Sequence, residues 1–322
     1  MRKKLLFVSS FFPSSSEDEI PQFLLEQVEQ LSEYDLEITV LAANRANNQP
    51  TKTNKRYKEI RFNYFYPTRK QNLTQYGILP AIQKSKWNLF QVPLLFIFEY
   101  LAIANAIKTT KPDYIYSHWF LPQGLLCSRL AKKNSIPHFF TSHSFDVEIC
   151  KKIPWLGPAL VRSAFRQLKA GTAVSNTTLA SIASFLHEDE WALISKKFKV
   201  IPMGVMPETS QAPPALPSEG ITDPPFENRK IILFMGRFVP KKGLPVLLEA
   251  INSIISQDPS ILLVIAGEGP LKHFVHDLVN KKGISKNVYF PGFISRDTKI
   301  RIINAADIFV LPSITIPGGD RE

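Results

Sequence analysis

The feature that most constrains the fold is a regular alternation of short apolar runs with helix-like runs along the chain. Before residue 206 it predicts strands near 4–10, 37–43, 59–66, 113–118, 138–142, 170–175 and 199–203, and helices near 20–33, 92–109, 122–134, 157–169 and 176–186. After residue 230 it predicts strands at 231–236, 261–267, 288–292 and 307–312, and helices at 244–257, 270–282 and 296–305. Such alternation favours α/β domains with parallel, doubly wound sheets and right-handed crossovers.

A proline-rich segment interrupts this pattern. Six prolines fall between Pro207 and Pro225 without apolar periodicity, which is typical of a linker. We therefore predict a first domain at 1–206, a linker at 207–226 and a second domain at 227–322. In such domains a ligand cleft is expected at the carboxyl ends of the strands.

Positive charge is concentrated in the first domain. Residues 1–206 carry 26 Lys and Arg against 16 Asp and Glu, whereas residues 207–322 carry 13 and 12. Seven cations alternate with aromatic residues between positions 52 and 70, namely Lys52, Lys55, Arg56, Lys58, Arg61, Arg69 and Lys70. Such a patch suits nucleic acid, an anionic membrane or an anionic substrate, and a solvated surface is the alternative. Nucleic acid is not expected, because the sequence shows no motif that reads it.

Three features bear on the location of the protein. The run MRKKLLFVSSFF is short, is broken by serines and lacks a cleavage site, so it predicts a buried strand rather than a signal peptide. Residues 89–107 are apolar but interrupted by Pro93, Glu99 and Asn105, which favours a buried or interfacial helix over a membrane span. The two cysteines, Cys127 and Cys150, have no redox or metal spacing. We expect a cytoplasmic protein that contacts the inner face of an anionic membrane peripherally.

The turn MGRFVPKKG, at 235–243, is the clearest candidate for ligand binding. It lies between a predicted strand and a predicted helix, whose N-terminus offers free N–H groups and a positive dipole end. Gly236 lets a ligand approach the backbone closely, Arg237 supplies a bidentate fork and Lys242 a compact charge. Together they predict a diphosphate site, and a solvated basic turn is the alternative.

This turn, together with seven further motifs, resembles the family 4 glycosyltransferases, which have the GT-B fold of two Rossmann-like domains. In the second half the matching motifs are IAGEGP (265–270), NVYFPGFIS (287–295) and AADIFVLPS (305–313). In the first half they are HWFLPQG (118–124), TSHSFD (141–146), TAVSNTT (172–178) and VIPMGV (200–205). The motifs follow the order of the family, and the resemblance covers essentially the whole chain.

The resemblance implies that the second domain binds a nucleotide-diphosphate sugar. Gly236, Arg237 and Lys242 are then the residues at the diphosphate, so neither a metal nor another cofactor is expected. The sequence also lacks an Asp-x-Asp metal motif near the predicted cleft. The positions implied near the nucleotide are Gly267, Glu268, Gly269 and Phe293.

The resemblance also implies catalytic residues. His143 corresponds to the histidine of an H-G-x-D motif, placed at the sugar and acceptor, although Ser144 replaces the usual glycine in the HSFD of this chain. Asp146 is expected to orient this histidine or to bind the acceptor. His118 ends another predicted strand, where a sugar-binding role and a structural role are both open.

The chain departs from the family pattern at two places. The first turn lacks the usual Gly-Gly, and Ser14 and Ser15 either donate hydroxyls to the acceptor or sugar or, as we favour, cap the following helix. GGDRE ends the sequence where the first glutamate of an E-x7-E motif falls. Glu322 is therefore expected to contact the donor sugar, and the second domain is expected to be incomplete.

The resemblance implies a retaining hexosyltransferase of cell-envelope polysaccharide synthesis. It would move a sugar from a nucleotide-diphosphate donor to a polysaccharide or lipid-linked acceptor held by the first, basic domain. The alternative is a truncated, catalytically impaired remnant that keeps the fold and binds nucleotide weakly.

Overall fold

The computed structural model describes most of the chain as two compact units, 1–206 and 207–322. The described residues are 2–13, 22–45, 56–143, 146–204, 226, 228–292, 294 and 296–316. Several predicted residues lie outside them, namely Ser14, Ser15, Lys52, Lys55, Phe293 and Glu322.

The first unit is built on a seven-stranded sheet in which every neighbouring pair is parallel. Its strands are β1 (Lys3–Val8), β2 (Leu36–Ala43), β3 (Lys58–Phe62), β4 (Tyr114–His118), β5 (His138–Ser142), β6 (Ala170–Ala173) and β7 (Phe198–Val200). Their order is β3-β2-β1-β4-β5-β6-β7. The strand order therefore reverses between β1 and β4, where an open α/β sheet forms its ligand crevice.

Eight helices accompany this sheet in the described part of the first unit. They are α1 (Phe23–Leu31), α2 (Leu73–Tyr76), α3 (Ile78–Lys84), α4 (Gln91–Thr110), α5 (Leu125–Lys133), α6 (Leu156–Gln167), α7 (Asn176–Ala183) and α8 (Glu188–Ile194). Helix α1 packs Leu24 and Val28 on one face of the sheet, against Leu5 and Phe7. Helices α4 and α5 pack together on side chains that alternate with these along β1, such as Leu6 and Val8. Both faces of β1 are therefore covered.

The second unit repeats this arrangement on a smaller scale. Its parallel strands are β8 (Lys230–Met235), β9 (Ile261–Ala266), β10 (Val288–Gly292) and β11 (Ile308–Phe309), in the order β10-β9-β8-β11. Its helices are α9 (Leu244–Ile255), α10 (Lys272–Lys281) and α11 (Arg296–Ala305). The order reverses between β8 and β11, so the turn after β8 lies at a second switch point. The predicted α/β class with two Rossmann-like sheets is confirmed.

Differences from the predicted elements occur where hydrophobic periodicity is weak or short. Helices α2, α3 and α8 have four to seven residues and were not predicted. The predicted strand 307–312 forms only the two-residue β11, and Ile308 and Phe309 are 54% and 53% exposed. An apolar run thus marks the place of a strand, but its length depends on the partner that pairs with it.

Helix α4 carries the apolar region that the sequence analysis singled out. With the preceding turn it forms a segment, Lys86–Thr110, of 25 residues and mean hydropathy 1.6, long and apolar enough to cross a membrane by composition alone. No other described helix meets this test. The helix also packs Leu95, Ile103 and Ile107 into the fold.

Candidate active site

The basic turn of the second unit is joined closely to the neighbouring turn after β9. Phe238 donates its backbone N–H to Glu268 O at 2.9 Å and accepts from Leu271 N at 3.0 Å. A Cβ on Gly269 would lie 2.6 Å from the Phe238 carbonyl oxygen, and one on Gly267 would lie 2.1 Å from that of Gly236. Both glycines are therefore required by the close packing of the two turns, whatever they contribute to a ligand.

The cations of this turn lie at the switch point of the second sheet. Arg237 is exposed, and its guanidinium makes no hydrogen bond or ion pair among the described residues, although its carbonyl accepts from Val239 N at 2.9 Å. The Lys242 side chain runs beside Gly236, with its Cε 3.7 Å from where a Cβ of Gly236 would be. Ile314 N, beyond β11, donates to Lys241 O at 2.8 Å and fixes the far side of the turn. The turn thus presents an arginine and a lysine directly before the N-terminus of α9, a suitable arrangement for an anion.

Glu268 lies beside this turn and is oriented by a neighbouring cation. Lys272 Nζ donates to Glu268 Oε1 at 2.7 Å, and the two residues are four positions apart in the sequence. The same oxygen lies 3.5 Å from where a Cβ of Gly292 would be. The predicted vicinity of the nucleotide therefore brings together the ends of β9 and β10.

The candidate catalytic histidines of the first unit are hydrogen-bonded to each other. His118 ends β4 and His143 follows β5, and strand register sets His118 opposite Thr141. His118 Nδ1 lies 2.9 Å from His143 Nε2, so one ring donates to the other. The His143 ring also packs on Trp119 and Phe23, with centroids 4.6 and 5.4 Å away. Packing and the hydrogen bond together fix the position of the His143 ring.

Both imidazoles are held in the neutral form. Burial lowers the pKa of His143 to about 4. Burial, with a smaller contribution from His143, lowers the pKa of His118 well below its ordinary value. A neutral imidazole pair can accept and donate hydrogen bonds to sugar hydroxyls at neutral pH but supplies no positive charge.

Asp146 supports the loop that carries His143 rather than the imidazole itself. Its Oδ2 accepts from Phe120 N at 2.8 Å and its Oδ1 from Ser142 Oγ at 2.5 Å. Its backbone N–H donates to His143 O at 3.2 Å. Burial raises the pKa of Asp146 to about 7, although these hydrogen bonds lower it. The carboxyl group thus ties the end of β5 to the segment that follows β4.

A buried carboxyl group beneath the first switch point was not predicted as a site residue. Glu99 of α4 is fully buried and accepts from Ser10 Oγ at 2.9 and 3.0 Å. Burial raises the pKa of Glu99 to about 8. In the amide orientation that satisfies its hydrogen bonds, Gln123 Oε1 accepts from Ser10 N at 2.8 Å. The sequence signal for this group was a single acidic residue inside a long apolar run. Its partner, Ser10, lies in the turn after β1.

The basic and aromatic stretch around β3 is largely engaged within the fold. Arg61 donates to Glu59 and to the carbonyls of Phe12, Pro13 and Ala43. Arg56 and Lys58 form ion pairs with Glu33 and Glu37, and Tyr64 is fully buried. Arg61 is largely buried and stabilises the edge of the sheet, whereas Arg56, Lys58, Arg69 and Lys70 are exposed.

No group of three or more His, Cys, Asp or Glu side chains suited to a metal occurs among the residues that the structure describes.

The chain is similar to known proteins in sequence and in fold. The family model "Glycosyltransferase Family 4" matches residues 22–209, and "Glycosyl transferases group 1" matches residues 222–319. TuaC of Bacillus subtilis, named for teichuronic acid biosynthesis, is 28% identical over 96% of this chain and 75% of its own length. A GDP-mannose-dependent phosphatidylinositol monomannoside mannosyltransferase of Corynebacterium glutamicum is 31% identical over 68% of this chain and 55% of its own. The solved structure of Anabaena HepE in complex with UDP-glucose matches the fold of this chain with a TM-score of 0.60. The match has 17% sequence identity and covers 98% of this chain and 74% of HepE.

Proposed function

Because the chain belongs to glycosyltransferase family 4, we propose that it moves a sugar from a nucleotide-diphosphate donor to a hydroxyl of a polysaccharide or lipid-linked acceptor, with retention of configuration. The observation that carries the proposal is the 236–243 turn at the switch point of the second sheet. It presents Arg237 and Lys242 where an α/β sheet binds its ligand. Named relatives that act on glycan or lipid-linked acceptors support the acceptor class.

The chemistry of the donor explains the need for fixed cations. Negative charge builds on the diphosphate as its bond to the sugar breaks, and preorganised positive charge stabilises that state. Arg237 and Lys242 supply this charge in the proposal, and the N–H groups at the start of α9 add to it. No metal is required in this scheme. The solved complex of HepE with UDP-glucose supports this donor class.

The first unit supplies the acceptor side of the reaction. Since His143 is neutral, its role is to position a hydroxyl of the sugar or acceptor rather than to balance charge. His118 fixes the orientation of His143 and couples the tautomers of the two rings through the 2.9 Å hydrogen bond. Asp146 holds the loop in which His143 lies.

Calorimetry with UDP and GDP, followed by a transfer assay with UDP-glucose and GDP-mannose, tests the donor site. Arg237→Ala and Lys242→Ala should each weaken nucleotide binding by about 1.5–3 kcal/mol, as expected for a charge-assisted contact. Lys286→Ala is the control, because this exposed cation precedes β10 at the opposite edge of the sheet. Equal affinity of wild type and the double variant would refute the site.

The main alternative is a protein that keeps the fold and binds nucleotide without transferring sugar. The same experiment separates the two functions. Nucleotide binding that depends on Arg237, with neither transfer nor donor hydrolysis across a panel of donors and acceptors, would favour the alternative. Release of nucleoside diphosphate that depends on Arg237 favours catalysis.

The second part of the proposal is that the first unit binds peripherally to the anionic inner face of the cytoplasmic membrane. Trp87, Phe90, Ile97 and Leu101 are 78%, 69%, 53% and 53% exposed. Ile97 and Leu101 lie four residues apart on the outer side of α4, and Phe90 ends the turn that directly precedes this helix. Exposed tryptophan and other aromatic residues on an amphipathic surface suit a membrane interface.

The charge around α4 also fits an anionic surface. The segment 62–112 contains six Lys and Arg residues. Glu99 is the one acidic residue of this segment, and it is buried. Helix α4 leads into β4 and α6 into β6, so both helices begin at the carboxyl edge of the sheet. Trp155, 90% exposed, precedes α6. The proposed membrane surface and the histidine pair thus share one edge of the unit.

Vesicle sedimentation tests this contact. Binding to phosphatidylglycerol vesicles at low salt should exceed binding to phosphatidylcholine vesicles, because each Lys or Arg near an anionic surface contributes about 1 kcal/mol. The double variant Trp87→Ala/Phe90→Ala should bind less. The control is Leu193→Ala, which removes a side chain 68% exposed on α8. Equal binding to both lipids would contradict the proposal.

A further inference from the structure

Helix α4 carries a fully buried carboxyl group in the middle of its packing face. Glu99 lies four residues after Leu95 and four residues before Ile103, and both of these apolar side chains are fully buried. An apolar residue at position 99 would continue this stripe. Burial of a carboxyl group costs free energy that burial of a hydrophobic side chain of similar volume does not. The stability of the core therefore does not explain the acid at this position.

The carboxyl group contacts the turn that follows β1. Its two oxygens lie 2.9 and 3.0 Å from Ser10 Oγ. In the amide orientation that satisfies its hydrogen bonds, Gln123 brings its Oε1 to 2.6 Å from the same hydroxyl oxygen and 2.8 Å from Ser10 N. All three residues are buried, and Gln123 belongs to the segment that follows β4. These contacts therefore join the two chain segments that bound the first switch point.

The same two segments hold the rings that surround the catalytic histidine. Phe11, next to Ser10 in the chain, packs edge-to-face on Trp119, with ring centroids 5.4 Å apart. Trp119 packs on His143 in turn, with centroids 4.6 Å apart. Because packed side chains leave little free volume, a shift of the turn after β1 would be passed through these rings to His143.

We propose that Glu99 is a positioning residue for the transfer reaction, acting through Ser10 to keep His143 in place. The proposal rests on the proposed function, in which His143 positions a hydroxyl of the sugar or acceptor. Glu99 is buried beneath the switch point and touches neither substrate in this scheme. Its loss should therefore lower turnover, because misplacement of a positioning group by about 1 Å can cost about 10²-fold in rate. Donor binding, which the second unit provides, should not change.

NMR spectroscopy of the complete, ¹⁵N-labelled chain tests whether Glu99 positions the histidine. Glu99→Met removes the hydrogen-bonding group at similar volume, whereas Glu99→Gln keeps one. Leu95→Met is the matched control, since Leu95 lies on the same face of α4 but packs in the cluster of Tyr64. We expect Glu99→Met to shift the indole N–H signal of Trp119 and the ring nitrogen signals of His143. Both signals should stay near their wild-type positions in Glu99→Gln and Leu95→Met.

Stability and kinetics separate positioning from a merely structural role. All four tryptophans lie in the first unit, so urea unfolding followed by tryptophan fluorescence reports on this unit. The urea midpoint of Glu99→Met should equal or exceed that of the wild type, because Gln123 can still accept from Ser10 and the buried acid is gone. Its kcat should fall about tenfold or more, with donor KM and nucleotide Kd unchanged. The kcat of Glu99→Gln should stay within about twofold of wild type.

Three results would overturn the positioning role. They are unmoved Trp119 and His143 signals in Glu99→Met, shifted signals with a wild-type kcat, and a lowered urea midpoint with all four tryptophan signals displaced. A wild type that transfers sugar from none of the donors would refute the proposed function instead. The NMR comparison then decides by itself whether Glu99 keeps His143 in place.

Discussion

At the residue scale, the sequence predicts the ends of strands better than the contacts made there. His118 and His143 could both be placed after apolar runs, at the carboxyl edge of a parallel sheet. Their hydrogen bond depends on the register of β4 against β5 and on Trp119 and Phe23 around the rings, which no local pattern reports. The partner of Asp146 was missed for the same reason, because Phe120 lies 26 positions away.

His143→Ala should lower kcat by about 10²-fold or more while nucleotide affinity changes little, because the residue is expected at the sugar and acceptor. Steady-state kinetics together with calorimetry measures the two effects separately. With a pKa of about 4, His143 stays neutral through neutral pH, so the wild-type kcat profile should show no limb near pH 6.5 from this group. His273→Ala is the control, since this exposed histidine lies on α10. A change confined to the donor KM would place His143 in donor binding.

Glu99→Gln should change how stability depends on pH. The pKa of Glu99 is raised from 4.5 to about 8 in the folded protein, so the unfolded chain loses its proton first as pH rises. As pH rises from 4.5 to about 8, the free energy of unfolding of the wild type therefore falls by about 1.4 kcal/mol per pH unit relative to that of the variant. Glutamine can still accept from Ser10. Urea denaturation of both proteins near the two ends of the window measures the difference, and parallel slopes would show that Glu99 ionises normally.

At the scale of elements, hydrophobic periodicity predicted the eleven strands and the eight longest helices of the described residues near their observed positions. These segments bury apolar side chains at a fixed period, which the sequence displays directly. Helices α2, α3 and α8 are too short to show such a period, and their boundaries depend on tertiary contacts. The packing of the turn after β8 against the turn after β9 was also hidden, because the glycines that permit it could equally have served a ligand.

Gly269→Ala should disturb the donor turn without touching either cation. The added Cβ would meet the Phe238 carbonyl oxygen at 2.6 Å and its nitrogen at 2.7 Å, which forces the two turns apart. We expect the variant to lose about 1–3 kcal/mol of stability in the second unit and to bind nucleotide more weakly. Gly204→Ala is the control, since nothing lies within 4 Å of its added Cβ. Thermal unfolding and calorimetry check both effects, and an unchanged nucleotide Kd would separate the turn packing from the donor site.

At the scale of the whole molecule, the two units differ in net charge and in the size of their sheets. The first unit carries nearly all of the excess of Lys and Arg over Asp and Glu, and its seven-stranded sheet has helices on both faces of β1. The second unit is almost neutral and has a four-stranded sheet. Composition predicted this asymmetry of charge, whereas the extent of each sheet depends on tertiary pairing, such as that of β11 with β8.

The second unit should therefore open more readily than the first. Ile308, Phe309 and Leu311 are 54%, 53% and 40% exposed, and β11 pairs with β8 through two residues. Leaving these side chains partly exposed forgoes roughly 2–4 kcal/mol, a large part of the stability of a small domain. Hydrogen exchange should then be faster in β8 than in β6, although both are interior strands of their sheets. Nucleotide at about 100 times its Kd should raise the free energy of opening at β8 by about 2.7 kcal/mol, and so slow hydrogen exchange there, while exchange in β6 stays unchanged. Equal protection of the two strands without nucleotide would show that the short β11 edge costs the second unit little.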